Sequence, residues 1–258
     1  MNLKKKLNYH YKAFNKSQLE PDPLEFPHMF EDEKNIEVMG FISSLFAYGN
    51  VTQIINTLHK IIKIMNYHPY EFVMQLNIKS DITKLGGLKH RFYTDRDIIR
   101  LFDLIQRAYN ENSSLKNLFL NGFNHNDESV KEGIRNLSNF FLNSYRIKYG
   151  KIPNSIKFMF PLPEKGSACK RMNLFLRWMV RRDELDFGLW NEIPKNKLII
   201  PVDTHIAKIC KQLKLTKRKN VSWKMAEEIT ENLKKFDPLD PVKYDFALCH
   251  IGMRRMSF

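Results

Sequence analysis

The feature that most limits the fold of this chain is the spacing of its apolar residues. They recur every three or four positions almost from end to end, which is typical of amphipathic helices. No stretch alternates apolar and polar residues convincingly with the period of two that a half-buried strand requires. We count about ten helical stretches on this pattern, the first near residues 3–14. The chain is therefore predicted to be all-α.

Capping and turn residues predict where several helices begin and end. Side chains that can cap helix N-termini stand at Thr52, Thr94, Ser222 and Asp240. A proline follows Asp240, and proline is favoured at the first helical position. Two stretches have no clear helical pattern: we expect residues 149–165 to form a loop, and residues 183–201 to be irregular or to carry one short helix.

The charge of the chain indicates the class of partner. The formal net charge is +14 and the pI is near 9.6, which is typical of proteins that bind nucleic acid, because contacts to phosphates release counterions. An acidic membrane surface, or a proteome that is basic throughout, would give the same balance. No apolar run approaches the ~20 residues of a spanning helix, and no apolar segment of a secretory signal follows Lys4–Lys6. We expect a cytoplasmic protein with no membrane partner.

The residues that usually hold metals are scattered. Cys169, Cys210 and Cys249 have neither the spacing of a zinc site nor that of an iron–sulfur site, and they do not form a disulfide framework. His205 has no second ligand at usable spacing, so we interpret it as a hydrogen-bonding residue at a helix start. No phosphate-binding loop of the G-x-x-x-x-G-K-[ST] type is present. We therefore expect neither a metal nor a cofactor.

Two helix starts carry residues suited to chemistry on a sugar carbon. Lys170 lies in the first turn of one helix, and Asp203 stands immediately before another. The positive end of the helix dipole, with Arg171, Arg177 and partial burial, favours a neutral lysine, and the same dipole favours an ionised aspartate. A neutral lysine can form a Schiff base with C1′, and a carboxylate can stabilise positive charge on the sugar ring. A solvated lysine and a merely capping aspartate remain the plainer interpretation of each residue alone.

Three segments resemble the endonuclease III, or helix-hairpin-helix, DNA glycosylases. VDTHI at residues 202–206 resembles their aspartate motif, and GSACKRMN at residues 166–173 resembles the hairpin with the catalytic lysine of bifunctional members. PVKYDFALCHIG at residues 241–252 resembles the helix before the iron–sulfur loop. The resemblance covers residues 161–252 well and the N-terminal half only through its helix pattern. It is closest to a bacterial branch without the cluster, in which GSACKR, LRWMVR, a Trp-containing bridge and VDTHI occur together.

The chain also departs from the family pattern. The second glycine of the hairpin is Ala168, the usual Leu-Pro-Gly lead-in has become Glu164-Lys165-Gly166, and the four-cysteine cluster is absent. The interval between the lysine and the aspartate is longer than in endonuclease III and is similar to that of the archaeal 8-oxoguanine glycosylases. The resemblance thereby implies an oxidised purine, with 8-oxoguanine first, as the lesion.

The resemblance implies a role for each residue of the site. Lys170 would be the Schiff-base nucleophile and Asp203 the catalytic carboxylate. The residues expected to contact DNA are Gly166, Ser167 and Ala168 through a phosphate grip of their N–H groups, Arg171 beside them, and Tyr48 as a wedge in the duplex. Trp190 would stack on the extruded base, while an ordinary capped turn, a core tyrosine and a core tryptophan remain the alternatives. Trp178 is expected in the core, and Arg181 and Arg182 on a solvated basic face.

The function so implied is a DNA base-excision repair glycosylase with AP-lyase activity. Its partner would be duplex DNA containing damaged bases, and it would act as a nucleoid-associated monomer without a cofactor or a metal. Two helical subdomains would flank a cleft, one formed by residues 1–36 and 202–258 and the other by residues 37–201. Two alternatives remain: a monofunctional glycosylase for alkylated bases in which Asp203 activates water, and a non-catalytic helical protein that binds DNA or RNA.

Overall fold

A computed structural model describes residues 3–13, 16–78 and 85–253 of the chain. Within these ranges the structure is predominantly helical and contains no β-strand, which confirms the all-α prediction. Its α-helices are α1 (Leu3–Ala13), α2 (Glu33–Phe46), α3 (Val51–Ile64), α4 (Pro69–Gln75), α5 (Asp95–Asn112), α6 (Leu115–Leu120), α7 (Lys131–Tyr149), α8 (Asn154–Met159), α9 (Lys170–Val180), α10 (Thr204–Gln212), α11 (Trp223–Lys234) and α12 (Asp245–Met253). The predicted end of the first helix, at residue 14, lies outside the described residues.

The helices belong to two compact units. The first comprises Met1–Glu20, His125–Lys131 and Leu162–Phe258, and the second comprises Pro21–Asn124 and Glu132–Pro161. This division differs from the predicted subdomain boundaries, because residues 162–201 belong with the chain termini rather than with the central helices. The lysine helix α9 and the aspartate helix α10 are therefore members of the same unit. Among the described residues, no helix combines the length and apolar character needed to cross a bilayer.

The second unit is built around stacked aromatic rings. Phe141 of α7 lies parallel to Phe160 with ring centroids 4.4 Å apart, and it also stacks on Phe41 of α2 at 5.4 Å. A buried carboxylate joins its helices: Glu37 accepts hydrogen bonds from the backbone N–H of Leu115 at 2.9 Å and of Lys116 at 3.2 Å. Since these N–H groups are at the start of α6, where they have no partner within the helix, Glu37 satisfies donors that burial would otherwise leave unpaired.

The first unit packs α1, α10 and α12 together, with α11 against a 3₁₀-helix at Pro241–Tyr244. Its buried rings include Trp178 of α9, which confirms the core assignment of that residue. Residues 125–131 join this unit through Lys197, whose amine donates to the carbonyl of Asp127 at 2.6 Å. The bridge between α9 and α10 is irregular apart from one 3₁₀ turn, Lys195–Lys197, as the sequence predicts.

Two of the predicted N-caps, Thr94 and Ser222, are confirmed. Thr94 and Asp97 form a reciprocal capping box at the start of α5, and Ser222 caps α11. The predicted N-cap at Thr52 was wrong, because Asn50 caps α3 and Thr52 already lies inside that helix. Asp240 makes no side-chain cap; Arg181 binds its carboxylate instead.

The predicted loop at residues 149–165 was also wrong in part. It contains α8 and a 3₁₀-helix at Pro163–Lys165. Both begin next to a proline, since Pro153 is the N-cap of α8 and Pro163 is the first residue of the 3₁₀-helix. Proline is compatible with a helix start because the N–H group that it lacks would have no partner there. The prolines therefore mark helix starts within the segment.

Candidate active site

The lysine helix is preceded by a tight hairpin that depends on two residues with positive φ. Gly166 has a φ of +82° and ends the 3₁₀-helix Pro163–Lys165, with its N–H donating to the carbonyl of Pro163 at 2.9 Å. Cys169 adopts φ +47° and precedes α9 without a side-chain cap. Ser167 stabilises the turn between them by accepting the N–H of Cys169 at 3.2 Å. Lys170 is thereby the first residue of α9, where the helix dipole is positive.

Asn173 braces the hairpin from within the helix. Its side-chain amide donates to the carbonyl of Ala168 at 3.0 Å, and only 1% of the residue is exposed. A second bond ties the hairpin to its unit, because the carbonyl of Gly166 accepts the N–H of Trp223 at 3.2 Å. The position of Lys170 is therefore fixed from both sides of the turn.

Asp203 is held at the start of α10 by the loop before it. Ile200 and Val202 are buried, and the N–H of Ile200 donates to Thr230 at 3.0 Å. Asp203 is the N-cap, and its Oδ1 accepts the N–H groups of His205 and Ile206 at 2.9 Å each. One carboxylate oxygen thus serves the helix, which leaves Oδ2 for another partner.

That partner is Lys170. Its Nζ lies 3.3 Å from Oδ2 of Asp203, and the two side chains remain 29% and 38% exposed. The residues are 33 positions apart in sequence, so the fold, not the local chain, brings them together. Both groups are therefore accessible to solvent.

The carboxyl of Asp203 is ionised at neutral pH. Burial opposes ionisation, but the charge of Lys170 and the two backbone hydrogen bonds from α10 outweigh it, so the pKa of Asp203 lies below its ordinary value. Asp203 therefore remains an anion and does not carry a proton that it could donate. An anion at this position can stabilise positive charge that develops nearby.

A buried network of charged residues lies behind the lysine, and sequence reasoning missed it. Arg177 of α9 donates to Asp186 at 3.2 Å and to Asp245 of α12 at 2.6 Å, with all three side chains at most 5% exposed. Arg181 binds Asp186 as well. It also pairs with the carboxylates of Asp183 and Asp240 at 2.9 and 2.8 Å.

Arg181 was predicted on a solvated basic face, and its burial at 3% exposure makes that prediction wrong. Arg182, its neighbour, is exposed as predicted. The reason is that α9 is buried on nearly every side, with Arg171 to Asn173 and Phe175 to Val180 all inaccessible. A helix that is enclosed in this way has room for a basic residue only where carboxylates neutralise it.

Asp245 connects the network to the candidate site. Burial raises the pKa of this carboxyl, although the charges of Arg177 and Lys170 lower it, and the charge of Asp203 raises it further. The charges of Lys170 and Asp203 thus lie close enough to Asp245 to alter the ionisation of its carboxyl. The sequence signal was an aspartate at the start of α12, which on its own does not distinguish a buried ion-pair partner from a cap.

Burial revises two of the predicted DNA contacts. Arg171 is 5% exposed and Trp190 is 1% exposed, with the ring of Trp190 lying edge-on to Phe175 at 5.1 Å. Trp190 has no accessible face on which a base could stack, and the guanidinium of Arg171 is not at the surface. Both residues are part of the core of the first unit.

The predicted phosphate grip retains two of its three N–H groups. The N–H of Gly166 is used within the turn. Those of Ser167 and Ala168 have no acceptor among the residues that the structure describes. Ser167 is partly exposed whereas Ala168 is 6% exposed, so the N–H of Ser167 is the more accessible of the two.

Tyr48, the predicted wedge, belongs to the second unit and is half-buried. Its hydroxyl donates to the carbonyl of His90 at 3.0 Å, and its ring contacts Phe92 and Phe158 at centroid distances of 5.5 and 5.2 Å. Both phenylalanines are themselves exposed, at 48% and 42%. Tyr48 is therefore one member of an aromatic surface cluster.

No metal site accompanies the candidate residues. Within the described ranges, no group of three or more His, Cys, Asp or Glu side chains is placed to hold a metal ion. His205, at the start of α10, is partly buried, and its Nε2 has no hydrogen-bond partner in the same ranges.

Comparison with known proteins identifies a family for this chain. A family model described as "Protein of unknown function (DUF2400)" matches residues 22–254. The searches of curated proteins and of solved structures gave no match. The matched range includes Lys170, Asp203 and the whole buried network, so the candidate site lies within the family's shared region. Because the match extends over most of the sequence, the chain belongs to the DUF2400 family.

Proposed function

We propose that the chain is a DNA base-excision repair glycosylase with AP-lyase activity, of the helix-hairpin-helix type. The observation that carries the proposal is the 3.3 Å contact between Lys170 and Asp203. The sequence predicts each residue at a helix start, and the fold brings the two side chains into contact although they are 33 positions apart. A lysine nucleophile beside a carboxylate, both partly exposed and both at helix starts, is the arrangement that Schiff-base chemistry at C1′ needs.

The reaction would proceed in two stages. The lone pair of the Lys170 amine forms a bond to C1′ while the bond from C1′ to the base breaks, and the base leaves with that electron pair and takes up a proton. The bond between C1′ and the ring oxygen then breaks as the nitrogen loses a proton and the ring oxygen takes one up, which opens the sugar ring and gives an imine. Loss of a C2′ proton from the imine expels the 3′ phosphate, which is β-elimination.

Lys170, Asp203 and the N–H groups of the hairpin each have a separate role in this reaction. Because only a neutral amine is nucleophilic, the ion pair has to open and Lys170 has to lose a proton before attack. Asp203, with its pKa lowered, remains an anion and stabilises the positive charge on the ring as the base departs. The N–H groups of Ser167 and Ala168 receive a phosphate of the strand.

The substrate in this proposal is duplex DNA containing a damaged base, with an oxidised purine first. The net charge of +14 supports a polyanionic partner. The finer architecture, two helical subdomains that flank a DNA cleft, and a location at the nucleoid belong to the same proposal. Neither a metal nor a cofactor takes part in its steps.

Borohydride trapping on duplex oligonucleotides, each with a single lesion, tests the proposal. Wild type should give a covalent protein–DNA complex, and Lys170→Ala should give none. Lys165→Ala is the matched control, because it removes an exposed lysine from the same hairpin and should trap normally. The panel should include 8-oxoguanine, an alkylated purine, uracil and a pre-formed abasic site.

Each result separates the proposal from its alternatives. Base release without a trapped complex would indicate a monofunctional enzyme in which Asp203 activates water. Trapping that is equal in Lys170→Ala and wild type would assign the imine to another amine. An absence of base release on every lesion would leave a non-catalytic helical protein that binds nucleic acid.

A further inference from the structure

The second unit contains a cavity that the proposed chemistry does not use. It measures about 830 Å³, within the range of ~300–1,000 Å³ that is usual for ligand sites. Its walls come from the start of α5 and the residues just before it, from Tyr145 of α7, and from α8 with the loop that precedes it. All of its lining residues belong to the second unit, so the site is complete within one compact body.

The charge of the lining is positive. Arg96, Arg100 and Lys151 face the cavity, and within the described ranges none of the three forms an ion pair with a carboxylate. The one acidic lining residue, Asp97, is occupied: one of its oxygens accepts from Thr94, and the other accepts the hydroxyl of Ser155 at 3.0 Å. Cations that no carboxylate neutralises attract an anionic ligand to the cavity.

One of the three cations, Arg100, is held in place. Arg100 donates to the hydroxyl of Tyr145 and lies over the ring of Tyr149, 4.5 Å from its centroid. Tyr149 in turn donates to the buried Asp103 at 2.6 Å. The guanidinium is thus fixed by aromatic and hydrogen-bonding contacts, whereas Arg96 and Lys151 are exposed and free to follow a ligand.

Aromatic rings complete the site. Phe158 and Phe92 line the cavity and lie edge to face, with centroids 4.9 Å apart, while nearly half of each remains exposed. A base has a flat face that stacks on such rings, and the phosphates on either side of it need cations. We propose that this cavity binds single-stranded DNA, with a base against Phe158 and the backbone along Arg96 and Lys151. The inference does not rest on the chemistry of Lys170.

Fluorescence anisotropy with a labelled, undamaged oligodeoxythymidylate tests this site on the full chain. Phe158→Ala should weaken binding at least about fivefold, since one stacked base contributes that much or more. Arg96→Ala/Lys151→Ala should weaken it by a similar factor and lower the salt slope by about 1.4, because each neutralised phosphate contributes about 0.7 on single strands. Matched controls are Lys60→Ala/Lys63→Ala, two exposed cations of α3, and Tyr9→Ala, an exposed aromatic.

Several outcomes would overturn the proposal. One is that the site variants bind the strand as tightly as their controls. Another is an effect of the cation variant without one of Phe158→Ala, which would reduce the site to a general phosphate surface. If thymidine monophosphate binds as tightly as the strand, the cavity is a mononucleotide site. Because the strand carries no lesion, loss of the glycosylase activity would leave all of these results unchanged.

Discussion

Asp203 has two functions that a pair of substitutions can separate. Its Oδ1 caps α10 through His205 and Ile206, and its Oδ2 contacts Lys170. Asn keeps an oxygen for the cap and removes the negative charge. Ala removes both the cap and the charge. Asp203→Asn and Asp203→Ala should therefore differ in stability and agree in activity.

The size of the stability difference follows from the structure. Loss of an N-cap costs about 1 kcal/mol, and Asn caps as well as Asp does. The contact with Lys170 contributes at most about 1 kcal/mol, because both side chains are more than a quarter exposed and solvent screens the pair. We therefore expect Asp203→Ala to lower the free energy of unfolding by about 1–2 kcal/mol. Asp203→Asn should lower it by less than about 1 kcal/mol.

Activity should fall equally in the two variants. A carboxylate that stabilises the transition state is expected to contribute about a hundredfold or more in rate, and neither Asn nor Ala supplies the charge. Urea unfolding followed by circular dichroism measures the stability, and single-turnover trapping on the best lesion measures the rate. A wild-type rate for Asp203→Asn would refute the electrostatic role. Equal destabilisation by Asn and Ala would refute the cap assignment.

Four further predictions follow from the same structure. The pKa of Asp203 is lowered in the folded state. Its contribution to the free energy of unfolding is therefore present above about pH 4 and is lost as the pH falls through the lower folded-state pKa. In an acid titration, Asp203→Asn should lose less stability than wild type over this range. Arg181→Ala breaks the buried network and should cost about 3–5 kcal/mol, whereas Arg182→Ala, at the exposed neighbouring position, should cost less than about 0.5 kcal/mol; equal values by urea unfolding would contradict the burial argument. Burial raises the pKa of the Cys169 thiol to about 12, so iodoacetamide at pH 7.5 should leave it unmodified in the native protein and modify it after unfolding, as mass spectrometry can show. Gly166→Ala meets no neighbouring atom but retains φ +82°, so its cost should be the purely conformational ~1–2 kcal/mol, and a larger loss in urea unfolding would indicate a contact that the structure does not show.

The sequence predicted the positions of Lys170 and Asp203 at helix starts because the signals for a helix start are local. A glycine turn before Lys170 and an aspartate before α10 depend on the conformation of only a few neighbouring residues. The same is true of Thr94 and Ser222, whose caps were correct. What the sequence could not give was the distance between Lys170 and Asp203, since it depends on how two helices pack within one unit.

The buried network illustrates why other residues were misinterpreted. Arg177 and Asp245 are 68 positions apart, so their pairing depends on the tertiary fold. The sequence does not show whether an arginine on a helix is solvated or buried. Trp190 presented the same difficulty, because a tryptophan in an irregular segment is equally able to fill a core or to line a pocket. Such choices are decided by tertiary packing.

The packing of α12 explains why the two site residues meet. Arg177, on the lysine helix, binds Asp245 at the start of α12, and α10, which Asp203 begins, packs against the same helix. Both the lysine helix α9 and the aspartate helix α10 are therefore positioned by contacts with α12. Because Arg177 and Lys170 lie on the same helix, loss of the Arg177–Asp245 ion pair would let the amine and the carboxylate move relative to each other without a change to either residue. The precision of the 3.3 Å contact is consequently a property of the buried ion pair as much as of the hairpin.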